Sequence, residues 1–312
     1  VALGKAEALR LPLELWRMHI MKRFVVTIAV AIAAAIIAAP AMAQEKAPPK
    51  NIKHIVWFGA DAFGAHYVDW DELPTLKELK ENGSWTLHQR SVLPSASAIN
   101  WETLLVGAPS EMHGFRTWGS EEPDIEPIYV NEHGRYPDIF RVIKDQIPDA
   151  KTSCVYDWGG IGYLYDKECV DDDVRVKTPQ EAIETALRQL EAKPTFAFIF
   201  VEEVDLVGHD FGWGSPEYHQ AMRNIDSYIA TIIAKIKELG MMEETVFLFC
   251  ADHGGSEKAH GEGRLDHMEV PFIAYGCGIE KGEIADTVTH FDFAATVAWL
   301  LGLKRPQAWR GL

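Results

Sequence analysis

Short, continuous apolar runs alternate with helix-like segments through most of this 312-residue chain, and this alternation most limits its fold. The strand-like runs cover residues 54–60, 86–93, 152–156, 195–201, 245–250 and 271–275. Strands with apolar side chains on both faces are typical of sheets covered by helices above and below. Apolar residues recur at helical spacing over residues 98–106, 178–192, 216–239 and 291–303. The pattern predicts an α/β fold, a three-layer sandwich with a mainly parallel central sheet.

The start of the chain carries the pattern of an export signal. A Met-Lys-Arg start at 21–23 precedes an apolar run over 24–39, and small residues up to Ala43 offer a cleavage site. The run is short for a membrane anchor, which needs roughly 20 apolar residues, so cleavage is favoured. We predict a periplasmic or secreted protein that meets the membrane only through this signal. The predicted segments are an upstream stretch at 1–20, the signal at 21–43, and one domain over 52–312 with a cap-like loop insertion at 110–136.

Composition and charge exclude several classes of protein. The apolar fraction of 47% is too high for a disordered chain. The formal charge is −16, and removing residues 1–43, with five basic and two acidic side chains, makes it −19. Such a chain has no basic face for nucleic acid, which requires neutralised phosphates. An anionic substrate would need local positive charge, such as metal ions.

Cysteine content leaves one question open. Cys154 and Cys169 are spaced so that a disulfide would close a short loop, worth about 3 kcal/mol in an oxidising compartment. Two free thiols are the alternative, and the sequence does not choose between them.

Metal-binding residue types follow three of the predicted strands. They are Asp61, Asp205, His209, Asp252, His253 and His260. Each alone is compatible with a turn cap or a surface pair. Because ligands bind beyond the carboxyl ends of strands in open α/β sheets, the set together predicts a metal site there. Nitrogen and oxygen ligands favour zinc, with manganese or iron as alternatives.

Ser97 stands where a predicted helix begins. A serine at this position is most often an N-cap. The same position also offers backbone N–H groups to an anion, and a nearby divalent ion would make the hydroxyl a nucleophile.

The ordered motifs resemble the alkaline phosphatase superfamily, most closely its nucleotide pyrophosphatase/phosphodiesterase branch. Residues 95–100 (SASAIN) resemble the nucleophile motif Thr-x-Thr-Phe-Pro-Asn, and 107–114 (GAPSEMHG) resemble Gly-x-x-Pro-Glu-x-His-Gly. Residues 202–209 (EEVDLVGH) resemble Glu-Glu-Pro-Asp-x-x-Gly-His, 251–254 (ADHG) resemble Ser-Asp-His-Gly, and 260–261 resemble the last metal histidine with its glycine. The likeness runs from about residue 52 to about 303, although Ala-Ile replaces Phe-Pro after the serine.

The resemblance implies a role for each of these residues. One ion would be held by Asp205, His209 and His260, with His267 as the rival to His260. The other ion would be held by Asp61, Asp252, His253 and the oxygen of Ser97. Ser97 would attack phosphorus and form a phosphoseryl intermediate, and Asn100 would donate to a phosphate oxygen. Three tryptophans in loops near strand ends would either contact substrate or pack in the core: Trp118, Trp158 and Trp213.

The implied function is that of an exported two-metal hydrolase of small phosphate esters, of the phosphodiesterase or nucleotide pyrophosphatase type. A phosphomonoesterase and a phosphonate hydrolase are alternatives within the enzyme class. A catalytically inactive metal-binding domain is the alternative outside it.

Overall fold

Residues 47–312 are described by the structure, a computed structural model, so the predicted upstream segment and signal peptide lie outside the described residues. Residues 48–312 form one compact unit. Across the described part of the chain, no helix has both the length and the apolar character needed to span a membrane.

An eight-stranded sheet forms the centre of this unit, in the order β4-β3-β5-β1-β6-β7-β2-β8. The strands are β1 (His54–Ala60), β2 (Ser84–Arg90), β3 (Thr152–Tyr156), β4 (Asp172–Arg175), β5 (Phe196–Val201), β6 (Thr245–Cys250), β7 (Glu269–Gly276) and β8 (Gly282–Glu283). All neighbouring pairs are parallel except those of β7, which runs antiparallel to β6 and β2. The carboxyl ends of β5, β1 and β6 therefore lie side by side.

Helices cover both faces of the sheet. They are α1 (Pro74–Asn82), α2 (Ser97–Val106), α3 (Ser110–His113), α4 (Ile139–Gln146), α5 (Pro179–Leu190), α6 (Glu203–Phe211), α7 (Pro216–Glu238), α8 (Leu265–Met268) and α9 (Asp292–Leu300). One apolar core joins α2, α4 and α9 to the first face, and a second core joins α1, α5 and α7 to the other. Two cores on opposite faces make the three-layer sandwich, which confirms the predicted fold class.

Two features of the fold differ from the sequence-based expectation or extend it. β4 carries the sequence Asp-Asp-Val-Arg, which lacks an apolar run, and it is nevertheless ordered as an edge strand paired with β3. Cys154 and Cys169 are both free and buried, so the disulfide alternative is not realised in this structure.

Candidate metal centre and nucleophile

The ends of three adjacent strands bring the predicted metal-binding residues together. Asp61 follows β1, Asp252 and His253 follow β6, and Asp205 lies in the first turn of α6 after β5. Ligand atoms of Asp61, Asp252 and His253 lie within 4.8 Å of one another. Those of Asp205, His253 and His260 form a second such group. The two groups share His253, so they lie next to each other.

His209 completes the cluster from α6. Its Nε2 is 3.6 Å from an oxygen of Asp205, four residues earlier, because residues four apart share a helix face. Its ring centroid is 5.1 Å from that of His260. All six predicted ligands therefore surround one point at the edge of the sheet.

The three histidines share one orientation. The Nδ1 atom of His209 bonds the carbonyl of Lys258 at 3.0 Å, that of His253 the carbonyl of Gly254 at 2.8 Å, and that of His260 the carbonyl of Ser95 at 2.9 Å. A carbonyl oxygen only accepts, so each Nδ1 carries the proton and each Nε2 has a free lone pair. Backbone carbonyls are typical partners of metal-binding histidines. The Glu203 carboxylate, next to this cluster in sequence, accepts from the Asn224 amide at 2.6 Å.

Burial raises the pKa values of the three carboxylates. Burial, with the neighbouring Asp252 and Asp205 carboxylates, holds the pKa of Asp61 well above its usual value. Burial raises the pKa of Asp252 in the same direction and that of Asp205 to about 6. Asp205 Oδ1 and Asp252 Oδ2 are buried and lack a hydrogen-bond partner. Buried carboxylate oxygens without a hydrogen-bond partner are stabilised by a nearby positive charge. The carboxylate oxygens and imidazole nitrogens of this cluster therefore fit two divalent cations.

Ser97 is the first residue of α2, and it does not act as the helix cap. The N-cap position belongs to Ala96, which makes no side-chain capping bond. The Ser97 hydroxyl lies 3.4 Å from Asp61 Oδ1 and 3.3 Å from His253 Nε2. The hydroxyl therefore faces the metal-binding cluster rather than its own helix.

Asn100 differs from the prediction. Its Oδ1 accepts from the Val92 N–H at 2.7 Å, and its Nδ2 lies 3.1–3.2 Å from the carbonyls of Val92, Pro94 and Ala96. With its donors engaged inside the protein, the amide has none free for a phosphate oxygen. The prediction of Asn100 as a phosphate donor is therefore corrected: its side chain fastens the segment that leads to Ser97.

The three tryptophans lie in different surroundings. Trp213 is 7% exposed and packs against His209 and His260, with ring centroids 5.2 and 6.0 Å away, which is the packing alternative of the prediction. Trp158 is half-buried, 6.1 Å from the Phe200 ring. Trp118 is 63% exposed, and its carbonyl accepts from the Ala98 N–H at 3.0 Å, which places it beside the nucleophile segment.

His267 lies outside the cluster. Its Nε2 bonds the Ser256 hydroxyl at 2.7 Å and its Nδ1 accepts from the Glu262 N–H at 3.2 Å. Both contacts hold the loop that carries His260, so the geometry favours His260 over His267 as a ligand.

Two supporting contacts were missed at the sequence level. The Trp101 indole N–H donates to Asp61 Oδ2 at 3.1 Å, and the Ala62 N–H donates to Asp252 Oδ1 at 3.0 Å. The first had a signal, because Trp101 lies four residues after Ser97 on the same helix face. The second involves a backbone group, which no residue type reveals.

Comparisons with known proteins agree with this architecture. A sequence model of the type I phosphodiesterase / nucleotide pyrophosphatase family matches residues 55–270. The relatives include GPI ethanolamine phosphate transferase 1 of Gibberella zeae, 29% identical over 195 residues, with 61% of this chain and 19% of the relative covered. They also include the venom phosphodiesterase of Macrovipera lebetinus, 22% identical over 267 residues, with 71% and 28% covered.

Solved structures show the same fold at low identity. Murine ectonucleotide pyrophosphatase/phosphodiesterase 5 is 15% identical, with a TM-score of 0.68 over 83% of this chain and 97% of that chain. In contrast, this chain covers only 14–29% of the length of the curated relatives named as GPI ethanolamine phosphate transferases.

The relatives contradict the predicted location. They include GPI ethanolamine phosphate transferase 1 from Gibberella zeae, Yarrowia lipolytica and Saccharomyces cerevisiae. GPI is a membrane glycolipid. The prediction of a periplasmic or secreted protein rested on residues 21–43 alone, which lie outside the described residues. That prediction was wrong.

Proposed function

The chain belongs to the type I phosphodiesterase / nucleotide pyrophosphatase family of the alkaline phosphatase superfamily, and from this premise we propose that it is a metal-dependent phosphodiester hydrolase with Ser97 as nucleophile. We assign the activity to residues 52–312 acting as one domain. The observation that carries the proposal is the Ser97 hydroxyl facing a cluster of three buried carboxylates and three imidazoles whose Nε2 atoms are all free of protons.

The residues fit two cations of the kind expected for this family, with zinc proposed. Asp205, His209 and His260 would hold one, and Asp61, Asp252, His253 and the Ser97 oxygen the other. Bound there, two divalent ions would offset the carboxylate charge and lower the pKa of the Ser97 hydroxyl.

The chain's own groups then orient the attack. Ser97 Oγ donates toward Asp61 Oδ1, so its lone pairs face away from that carboxylate. The positive end of the α2 dipole lies beside Ser97 and favours the negative phosphoryl oxygens. Attack forms the Ser97 oxygen–phosphorus bond and breaks the bond from phosphorus to the leaving alcohol oxygen, which takes up a proton. Water then cleaves the phosphoseryl ester and restores the serine.

A diester is favoured over a monoester. A monoesterase would use an arginine against the doubly charged terminal phosphate, and the candidates are Arg116, in the loop insertion, and Arg264, four residues after His260. The Arg264 guanidinium is already paired with Asp266 through two contacts, at 3.0 and 2.7 Å. Arg116 lies exposed in the loop insertion.

Turnover of two chromogenic substrates tests the proposal. The zinc-loaded protein is expected to hydrolyse bis-p-nitrophenyl phosphate faster than p-nitrophenyl phosphate, and Ser97→Ala is expected to lose this activity while keeping its zinc. Faster monoester turnover would favour the phosphatase alternative. Zinc binding with neither hydrolysis of either ester nor transfer to an added alcohol would favour the inactive metal-binding domain.

The relatives favour a second candidate, phosphoethanolamine transfer. Several are named for transfer of ethanolamine phosphate to GPI. The same attack by Ser97 would serve this reaction if an alcohol rather than water resolved the phosphoseryl ester. Adding methanol or glycerol to the assay with bis-p-nitrophenyl phosphate distinguishes the two. A transferase forms the alkyl p-nitrophenyl phosphate in a larger proportion than the ratio of alcohol to water would give.

A further inference from the structure

A buried histidine from the far end of the chain contacts the residue that fastens the nucleophile segment. His290 Nδ1 lies 3.0 Å from Asn100 Oδ1, across 190 residues of sequence. Both side chains have no solvent exposure. Asn100 in turn contacts Val92, Pro94 and Ala96, so one chain of hydrogen bonds runs from His290 to the residue before Ser97.

The direction of this hydrogen bond is fixed by its surroundings. Asn100 Nδ2 faces three carbonyls, so its Oδ1 is the atom that faces His290. Since an amide oxygen only accepts, His290 Nδ1 is the donor. Burial lowers the pKa of His290 to about 3, so the ring stays neutral and keeps this tautomer at working pH.

The backbone holds His290 in place from the other side. Its N–H donates to the Arg90 carbonyl at 2.9 Å, and the Arg90 N–H donates to the Val288 carbonyl at 2.9 Å. Residues 288–290 thus continue the edge of the sheet beside β2. The Phe293 N–H bonds the His290 carbonyl at 3.1 Å, at the start of α9. The backbone of His290 is therefore held between β2 and the start of α9.

We propose that His290 is a positioning residue, which acts through Asn100 to set the place of the Ser97 hydroxyl. The expected effect on the reaction rate rests on the proposed function. The expected effect on the order of the segment 92–96 rests only on the hydrogen bonds described above. Asn100 Oδ1 accepts from both the Val92 N–H and His290. Without the second donor the amide has one fewer restraint on its rotation, and the segment 92–96 that it fastens gains freedom.

A nucleophile displaced by about 1 Å costs on the order of 100-fold in rate. The loss should appear in kcat rather than in KM, because His290 is buried away from solvent and does not contact the substrate.

Two polar substitutions separate the positioning role from general packing. In His290→Asn the amide nitrogen stands where Nδ1 was, and in His290→Gln it stands near Nε2, away from Asn100. The matched control is His113→Asn, since His113 is equally buried and its hydrogen bonds go to Thr103 and Phe115. All three variants exchange a buried imidazole for a smaller amide.

With bis-p-nitrophenyl phosphate and zinc, we expect His290→Gln to lose about 100-fold in kcat at nearly constant KM. His290→Asn and His113→Asn should stay within about tenfold of the parent. Hydrogen exchange of the peptide 91–100, measured by mass spectrometry, should quicken in His290→Gln only.

Equal kcat in His290→Asn and His290→Gln, or an equal loss in His113→Asn, would overturn the proposal. If the parent itself hydrolyses no phosphodiester, the proposed function fails. Hydrogen exchange of the peptide 91–100 then still decides whether His290 orders this segment, and unchanged exchange in His290→Gln would overturn the positioning role.

Discussion

The imidazole rings of His253 and His260 are stacked, with 3.9 Å between their centroids and 16° between their planes. Burial lowers the pKa of both rings, and the neighbouring His260 imidazole lowers the pKa of His253 further. Two neutral rings are thereby held face to face, each with its Nδ1 bonded to a backbone carbonyl. The Nε2 atoms of these two neutral rings can therefore bind cations rather than protons.

Removal of His260 is therefore expected to weaken metal binding far more than removal of His267. We expect His260→Ala to lower zinc affinity at least about 100-fold, because a direct ligand is lost. His267→Ala should cost about tenfold or less, since His267 only braces the loop through Ser256 and Glu262. Zinc content after dialysis against graded chelator, measured by plasma mass spectrometry, compares the two. Equal losses would mean that the roles are misassigned.

The packing of Trp213 beneath the histidines predicts a glycine requirement at position 208. A Cβ on Gly208 would stand 2.7 Å from the Trp213 ring, and the helix that carries Gly208 also carries Asp205 and His209. We expect Gly208→Ala to lower the free energy of unfolding by about 1–3 kcal/mol and to weaken zinc binding. Gly119→Ala is the control, since a Cβ there meets nothing within 4 Å. Urea titrations give the free energy of unfolding of both variants. Equal values for Gly208→Ala and Gly119→Ala would refute this packing argument.

The sequence predicted the parts of this protein that depend on local pattern. The apolar runs of β1, β3, β5 and β6 marked the strands, and the acidic and imidazole residues at their ends marked the site. β4 escaped notice because an edge strand exposed to water needs no apolar run, and Asp172 and Asp173 look like a loop.

The sequence could not decide the roles of Asn100 and Trp213, because the partners of both side chains are distant in the chain. The Asn100 side chain accepts a hydrogen bond from His290, which is 190 residues away in sequence. The Trp213 indole N–H donates to the Ala62 carbonyl, which is 151 residues away. Contacts of this range depend on the whole fold, and a motif does not encode them.

Trp118 remains a candidate for substrate contact. Its side chain is mostly exposed while its backbone carbonyl is fixed to Ala98, next to Ser97. We expect Trp118→Ala to raise KM for bis-p-nitrophenyl phosphate about fivefold to tenfold, the worth of one aromatic contact, with kcat within about twofold. Tyr129→Ala, half-exposed in the same loop insertion, is the control. An unchanged KM in Trp118→Ala would remove Trp118 from the binding site.

We expect the stability of the fold to fall at low pH because of His113. Burial lowers the pKa of His113 to about 3, below the ordinary value of 6.5. Its Nδ1 accepts from the Phe115 N–H at 3.2 Å, so a proton there would break a buried hydrogen bond. Between pH 6.5 and 3 the unfolded chain binds a proton that the folded chain refuses, so stability rises with pH and is lost as pH falls through this range.

The contribution of His113 is at most about 1.4 kcal/mol per pH unit. His113→Gln removes the titrating group and keeps a donor for Thr103, whose hydroxyl lies 3.0 Å from His113 Nε2. Its free energy of unfolding, from urea titrations between pH 4 and 6.5, should therefore fall less steeply with acid than that of the parent. The Gly119→Ala variant keeps His113 and should follow the parent's slope. Parallel slopes in the parent and His113→Gln would show that the acid sensitivity arises at other groups.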